Sequence, residues 1–262
     1  MSLLYQYRFD AIAYSIAFCA MALLERFFQR TRQPFLRKDW EFDAKFMLVN
    51  SLLTAPASVM LRRALDGRIP SAIDALGIKF GPATLPAWMQ LVLGFVFADY
   101  LAYWLHRAYH SRTLWPLHLD HHSPTSLQIW SAHRFHVLDI FLKRLLLYGG
   151  ILLLGVRPWV LSVYITFGLA HNILQHLDLP WTFGPFRRIL SSPVYHRWHH
   201  HAEQGIGEVN FAIVFSLWDV LYGTAYFSDT PPAKLGLDPS PPSSYLRRFC
   251  LPFAVWTRRS IK

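Results

Sequence analysis

Five stretches of the chain carry no charged side chain: Ala11–Leu24, Phe46–Leu61, Gly81–Ala98, Leu145–Val156 and Pro158–Leu177. Polar and basic collars separate them. A helix needs about 20 apolar residues to cross a bilayer, so the shorter runs are compatible with buried core helices as well. Five such runs in one chain favour membrane spans over a soluble core. Phe211–Phe227 is apolar too, but Asp219, Gly223 and polar residues interrupt it, and it is expected to pack against the cytoplasmic face without crossing. Pro231–Pro232 and Asp238–Pro242 mark a turn-rich exit from that segment. No internal repeat or long low-complexity tract is present. The N-terminus lacks a basic leader and a small-residue cleavage site, so Ala11–Leu24 is expected to be an uncleaved span.

Lysine and arginine placement gives these runs an orientation. If all five cross, residues 25–45, 99–144 and 171–262 share one side of the membrane and hold 20 of the 26 basic residues. The other side keeps Arg8, Arg62, Arg63, Arg68, Lys79 and Arg157. The basic side is the cytoplasmic one by the positive-inside rule, which places the N-terminus opposite and the C-terminus in the cytoplasm. Leu145–Val156 is the shortest run, so the 145–177 hairpin either crosses or dips in and returns to the same face.

Composition agrees. Over 262 residues, hydrophobic side chains make up 53% and charged ones 16%, against roughly 25% charged in an average soluble domain. Twenty Phe, 12 Tyr and 10 Trp exclude a disordered chain. The two cysteines, Cys19 and Cys250, exclude a disulfide scaffold. The net charge of +10 would suit nucleic acid, but the basic residues flank apolar runs, as in a collar meeting anionic lipid. No nucleic-acid partner is expected.

Thirteen histidines are the chemical signal, and ten of them fall in four groups. His106 and His110 form HRAYH; His118, His121 and His122 form HLDHH; His171 and His176 bracket HNILQH; His196, His199 and His200 form HRWHH. Residues three or four apart share a helix face, so each motif aims imidazoles at one point. Imidazole suits iron, zinc, copper and nickel. One HxxxH pair arises often by chance; this set does not. Ten candidate ligands exceed what one tetrahedral zinc takes, which points to two metal ions. The groups lie at span ends or in polar stretches, so they can meet at one membrane–water interface.

The chain resembles the fatty acid hydroxylase/sterol desaturase superfamily of integral-membrane di-iron oxygenases. Asp99–His110, DYLAYWLHRAYH, matches the family segment D-x3-YW-x-HR-x2-H, and HLDHHS (His118–Ser123) matches its second box. QHLDLPW follows the fifth run, SPVYHRWHHH (Ser192–His201) matches the last box, and NFAIVFSLWDVLYGT (Asn210–Thr224) resembles the family ending. The resemblance implies metal ligation by His106, His110, His118, His121, His122, His196, His199 and His200, with His171 and His176 added. His133 and His136, in AHRFH, resemble a segment not usually assigned to the metals, and His201 is expected to be a neighbour of the last box. Asp99 and Asp120 are candidates to orient ligand imidazoles, and Asn210 and Asp219 join them on the family pattern alone.

The expectation is an all-α fold: an integral-membrane helical bundle with a cytoplasmic helical cap holding a histidine-rich dimetal site. Residues 1–98 would supply N-terminal spans, 99–227 the catalytic region with its hairpin, and 228–262 a basic tail. The function implied is O2-dependent hydroxylation of an unactivated C–H bond of a fatty-acyl-type lipid by two iron ions, which zinc can replace on purification. A sterol or isoprenoid oxidase or desaturase of the same superfamily is the alternative. A membrane metal transporter, or a haem protein with His106 and His171 as axial ligands, are rivals from other classes. The chain has no dinucleotide fingerprint, fused haem domain or iron–sulfur motif, so a separate ferredoxin- or cytochrome-type donor with its reductase is implied. Arg187, Arg188 and Arg197 offer either a dock for that donor or a contact for lipid headgroups.

Overall fold

The computed structural model describes residues 3–36, 39–54, 56, 60, 84–157, 159–238 and 240–259. The loop on which the sequence places Arg62, Arg63, Arg68 and Lys79 lies outside them, as does part of the second apolar run. Among the described residues there is no strand, only one bridge between His201 and Leu235. The helices are α1 (Leu3–Phe28), α2 (residues 40–54), α3 (Ala87–Tyr109), α4 (Trp115–His122), α5 (Val137–Leu153), α6 (Trp159–His176), α7 (Pro193–His199), α8 (Leu217–Tyr222) and α9 (Tyr245–Arg259).

Only α3, among the described residues, is both long and apolar enough to cross a membrane. The expectation of five comparable spans therefore narrows, for reasons visible in composition. The helix over the first run, α1, extends into Arg8, Asp10, Glu25 and Arg26. The fourth run forms the last part of α5, which begins with Asp139, Lys143 and Arg144. The fifth ends in His171, Asn172, Gln175 and His176, all within α6.

α5 and α6 pack on α3 around Ala98, Ala102, Leu147, Ile151, Val156, Val160 and Tyr164. Small residues allow the close approach: a methyl group on Gly94 would stand 2.7 Å from Val160 Cγ1. A second cluster joins Ile173, Leu177 and Leu179 to Ile129 and Ala132, with Phe18, Met21 and Leu24 of α1 against it. Glu25 pins this side, accepting from Asp178 N at 2.8 Å and Ile129 N at 3.3 Å. The outcome is a bundle whose polar end gathers α4, α7 and the C-terminal end of α3.

Candidate metal centre

The short helices that carry the histidines are fixed by their own ends. α7 is capped by Ser192, whose side chain accepts from Tyr195 N, and Pro193 supplies a helical first position. α4 also has a proline in its first turn, Pro116. At the start of α5, His136 Nδ1 accepts from Leu138 N, while its Nε2 donates to Phe249 O. Both nitrogens of His136 are thus in structural use.

Two groups of histidines result. His106, His110, His118, His122 and His199 form one, His121, His176, His196 and His200 the other, with the donor atoms of each group within 4.8 Å of one another. Each HxxHH motif divides between the two, contrary to the expectation that one motif serves one point. In such a motif the outer pair (i, i+4) shares a face, while the residue before the last is rotated by about 100°. So α4 gives His118 and His122 to the first group and His121 to the second; α7 gives His196 and His200 to the second and His199 to the first. The groups touch: the rings of His122 and His200 stack with centroids 4.4 Å apart.

Second nitrogens reveal which atoms face inward. His106 Nδ1 lies 2.6 Å from Phe211 O, His199 Nδ1 2.8 Å from Val209 O and His176 Nδ1 2.7 Å from Asn172 O. A carbonyl only accepts, so each of these Nδ1 atoms carries the proton and each Nε2 a lone pair. His118 Nδ1 likewise donates to Asp139 Oδ2 at 2.9 Å. Yet His106 Nε2 and His118 Nε2 stand 3.1 Å apart. Two facing lone pairs repel, and no proton is left to bridge them. A shared cation resolves the conflict: metal–imidazole bonds of about 2.0–2.1 Å put neighbouring nitrogens roughly 3 Å apart. His121 Nδ1, His122 Nε2, His176 Nε2, His196 Nδ1, His199 Nε2 and His200 Nδ1 are buried with no hydrogen-bond partner, which is costly unless something binds them. The residues present fit a pair of metal ions.

Electrostatics supports neutral imidazoles. Burial first, then neighbouring histidines, pushes His118, His121, His122, His199 and His200 well below the ordinary histidine value, as ligation requires. His196 follows the same order.

His171 stands outside both groups; its Nε2 is 3.3 Å from Ser191 Oγ and its ring stacks on Phe167. The haem alternative loses its pair of axial ligands, because His106 sits in the first group and His171 does not. His133 is half-buried beside Phe18, lowered to about 4 by desolvation, and belongs to neither group. His201 lies at the edge, its Nε2 2.8 Å from Gly207 O.

Neither Asp99 nor Asp120 orients a histidine. Asp99 accepts from Tyr164 Oη, Val214 N, Phe215 N and Trp218 Nε1, which uses its lone pairs. Asp120 is taken by Arg248 Nη1 at 3.0 Å. Asp219 and Asn210 act one step back. Asp219 holds Phe211 N and Ala212 N, and Asn210, at φ 61°, ties Tyr195 O to Tyr226. Together they fix the 209–212 segment, whose carbonyls orient His199 and His106. Asp139 is the carboxylate the sequence reading missed; burial raises it to about 6 despite Lys143 nearby. Its only sequence signal is a lone acid in the first turn of an otherwise apolar helix. Arg197 is also displaced from its expected surface role. It is buried, bonding Leu127 O, Leu177 O and Asp178.

The chain is similar to known lipid hydroxylases and monooxygenases. An ornithine lipid hydroxylase of Rhizobium tropici is 28% identical over 95% of this chain and 77% of its own length. A human alkylglycerol monooxygenase is 31% identical over 52% of this chain but 30% of its own. A methylsterol monooxygenase of Arabidopsis thaliana is 28% identical over 58% of this chain and 54% of its own. The chain thus spans under a third and about half of the latter two. No solved structure matches. The fatty acid hydroxylase family model matches residues 91–224, the stretch that supplies every histidine of both groups. The chain belongs to the fatty acid hydroxylase family, and is an oxidoreductase of its hydroxylase and monooxygenase type.

Proposed function

We propose that the protein hydroxylates an unactivated C–H bond of a fatty-acyl-type lipid, with O2 as co-substrate and two iron ions in the histidine groups. The observation that carries this reading is the pair of buried, touching groups, in which imidazole nitrogens either crowd one another at 3.1 Å or have no hydrogen-bond partner. His106, His110, His118, His122 and His199 would hold one ion, His121, His176, His196 and His200 the other. When bound, the ions supply the O2 activation that side chains cannot. Asp139, Val209 O, Phe211 O and Asn172 O keep the ligand rings in the tautomer that points Nε2 inward. Burial keeps the site dry.

Zinc can replace iron on purification, because affinity alone does not select iron. Electrons come from a separate donor of ferredoxin or cytochrome type. In this reading α3 crosses the bilayer and the site lies at its surface, open to a lipid substrate, with the site and C-terminus on the cytoplasmic side and the N-terminus opposite; the length and apolar composition of α3 and the division of basic residues support it.

The relative matched over nearly the whole chain acts on ornithine lipid, so an ornithine lipid is the first substrate to supply. Lipid mass spectrometry of cells with and without the gene tests the reading. A mass gain of one oxygen atom is expected; loss of two hydrogens would make the enzyme a desaturase, and an unchanged lipid profile would refute both.

A further inference from the structure

Phe186 and Ile189, in and just after the 3-10 turn Gly184–Arg188, are 62% and 50% exposed. On α8, Leu221 is 63% exposed, with Leu217 and Val220 beside it. Arg188 is exposed between Phe186 and Ile189. Ser216 Oγ, at the start of α8, donates to Arg187 O at 2.8 Å, so the turn and α8 form one face. This is a large apolar patch carrying basic side chains, a composition that water disfavours.

Its neighbours say what covers it. Trp88, Val92, Leu93 and Val96 lie exposed along α3, the helix able to cross a membrane. An apolar groove lined by α3 residues from Val92 to Tyr100 ends at Trp218, on α8 itself. There the aromatic rings gather: Tyr100 Oη is 3.2 Å from Tyr222 Oη, and Trp104 meets the Tyr222 ring with centroids 4.8 Å apart. Tyrosine and tryptophan concentrate where hydrocarbon gives way to headgroups. The exposed face of α8 and the 184–189 turn is thus continuous with the end of the bilayer-facing surface of α3. An acidic protein partner would want charge with little exposed hydrocarbon. Here Arg187 is already paired with Asp229 at 2.7 Å, and Arg197 is buried.

We infer that the 184–189 turn and α8 seat on the bilayer surface, with Phe186, Ile189 and Leu221 in the acyl boundary and Arg188 against anionic lipid headgroups. The inference rests on α3 lying in a bilayer, as proposed above. It makes the face an interfacial anchor that holds the histidine site at a fixed depth, and removes it from the donor's docking surface.

Labelled single cysteines test it. In the full chain with Cys19→Ser and Cys250→Ser, an environment-sensitive fluorophore is placed at Phe186→Cys, Leu221→Cys, Val92→Cys or Gln204→Cys. The protein is reconstituted in phosphatidylcholine vesicles with or without phosphatidylglycerol. At 186 and 221 we expect strong quenching by nitroxide-labelled lipid and little by aqueous iodide, with the reverse at 204. Adding phosphatidylglycerol should raise lipid quenching at 186 several-fold, and Arg188→Glu should abolish that increment. Iodide quenching at 186 and 221 equal to that at 204 overturns the inference, as does shielding that appears only when an acidic ferredoxin is added. Lipid quenching at 92 in those cases shows that the membrane reading of α3 survives. Lipid quenching indifferent to phosphatidylglycerol overturns the headgroup assignment.

Discussion

His118 and Asp139 form a buried pair in which the imidazole Nδ1–H meets the carboxylate at 2.9 Å, both side chains nearly inaccessible to solvent. The pair makes His118 a better donor at Nε2 and fixes its ring. Asp139→Asn keeps an acceptor oxygen but removes the charge. It should lower metal affinity or activity about 10–100-fold, measured by competition with a chromophoric chelator, while Asp139→Ala should cost more. Asp99→Asn should instead destabilise the fold, with metal affinity little changed in the fraction that folds. The reverse pattern would show that Asp99, not Asp139, serves the ligands.

The division of the histidines gives a stoichiometric expectation. His199→Ala should deplete the ion of the five-histidine group and His200→Ala that of the four-histidine group. Activity should be lost in both. His121→Ala should behave like His200→Ala. His171→Ala and His133→Ala should retain both ions and act more mildly. Metal content by mass spectrometry on purified, folded variants reads this out. Full loss at His171 would place that residue among the ligands.

The histidines were legible because their spacing is local: three- and four-residue intervals declare a shared helix face whatever the rest of the chain does. What joins those faces is not local. Nothing in HLDHH shows that His121 turns toward α7 while His118 turns toward α3. Proximity in sequence favoured Asp99 as the partner of a ligand, yet donors from residues 164–218 claim it. The true carboxylate comes from α5, 21 residues beyond its histidine. Charge-free runs located α6 to within a residue at each end, but α3 runs 11 residues past its run and α5 begins eight residues before its own, because both helices continue into charged residues. The basic tail concealed α9, whose Arg248 points inward.

Acid should undo the site in a defined direction. Burial depresses His121, His122, His199 and His200 well below 6.5 in the fold. The unfolded chain therefore binds more protons than the folded one once the pH falls below about 6.5, and stability rises with pH through that window. The melting temperature of the metal-free protein should climb from about pH 5 to 7 and level off above. Bound metal should be released over the same acid range, since protons compete for the ligand nitrogens. A metal-free melting temperature that is flat or falls between those limits would contradict the burial of neutral rings.

The last expectation concerns the reach of α9 into the second histidine motif. Arg248 Nη1 bonds Asp120 Oδ1 at 3.0 Å and Ser123 Oγ at 2.8 Å, and its guanidinium lies 4.6 Å from the Phe42 ring centre. Arg134 reaches the same Ser123 Oγ at 3.1 Å and pairs with Asp43. Asp120 lies between His118 and His121, and Ser123 follows His122, so Arg248 grips the segment on either side of His121 and His122. Arg248→Ala would leave Asp120 buried and unpaired, a defect that costs about 3–5 kcal/mol. Arg248→Ala should therefore lower the melting temperature and loosen metal at His118, His121 and His122 together. Asp120→Asn combined with Arg248→Ala should recover part of the loss, because no bare charge remains. Additive losses in the double variant would show that Arg248 acts only through the packing of α9 and not through Asp120.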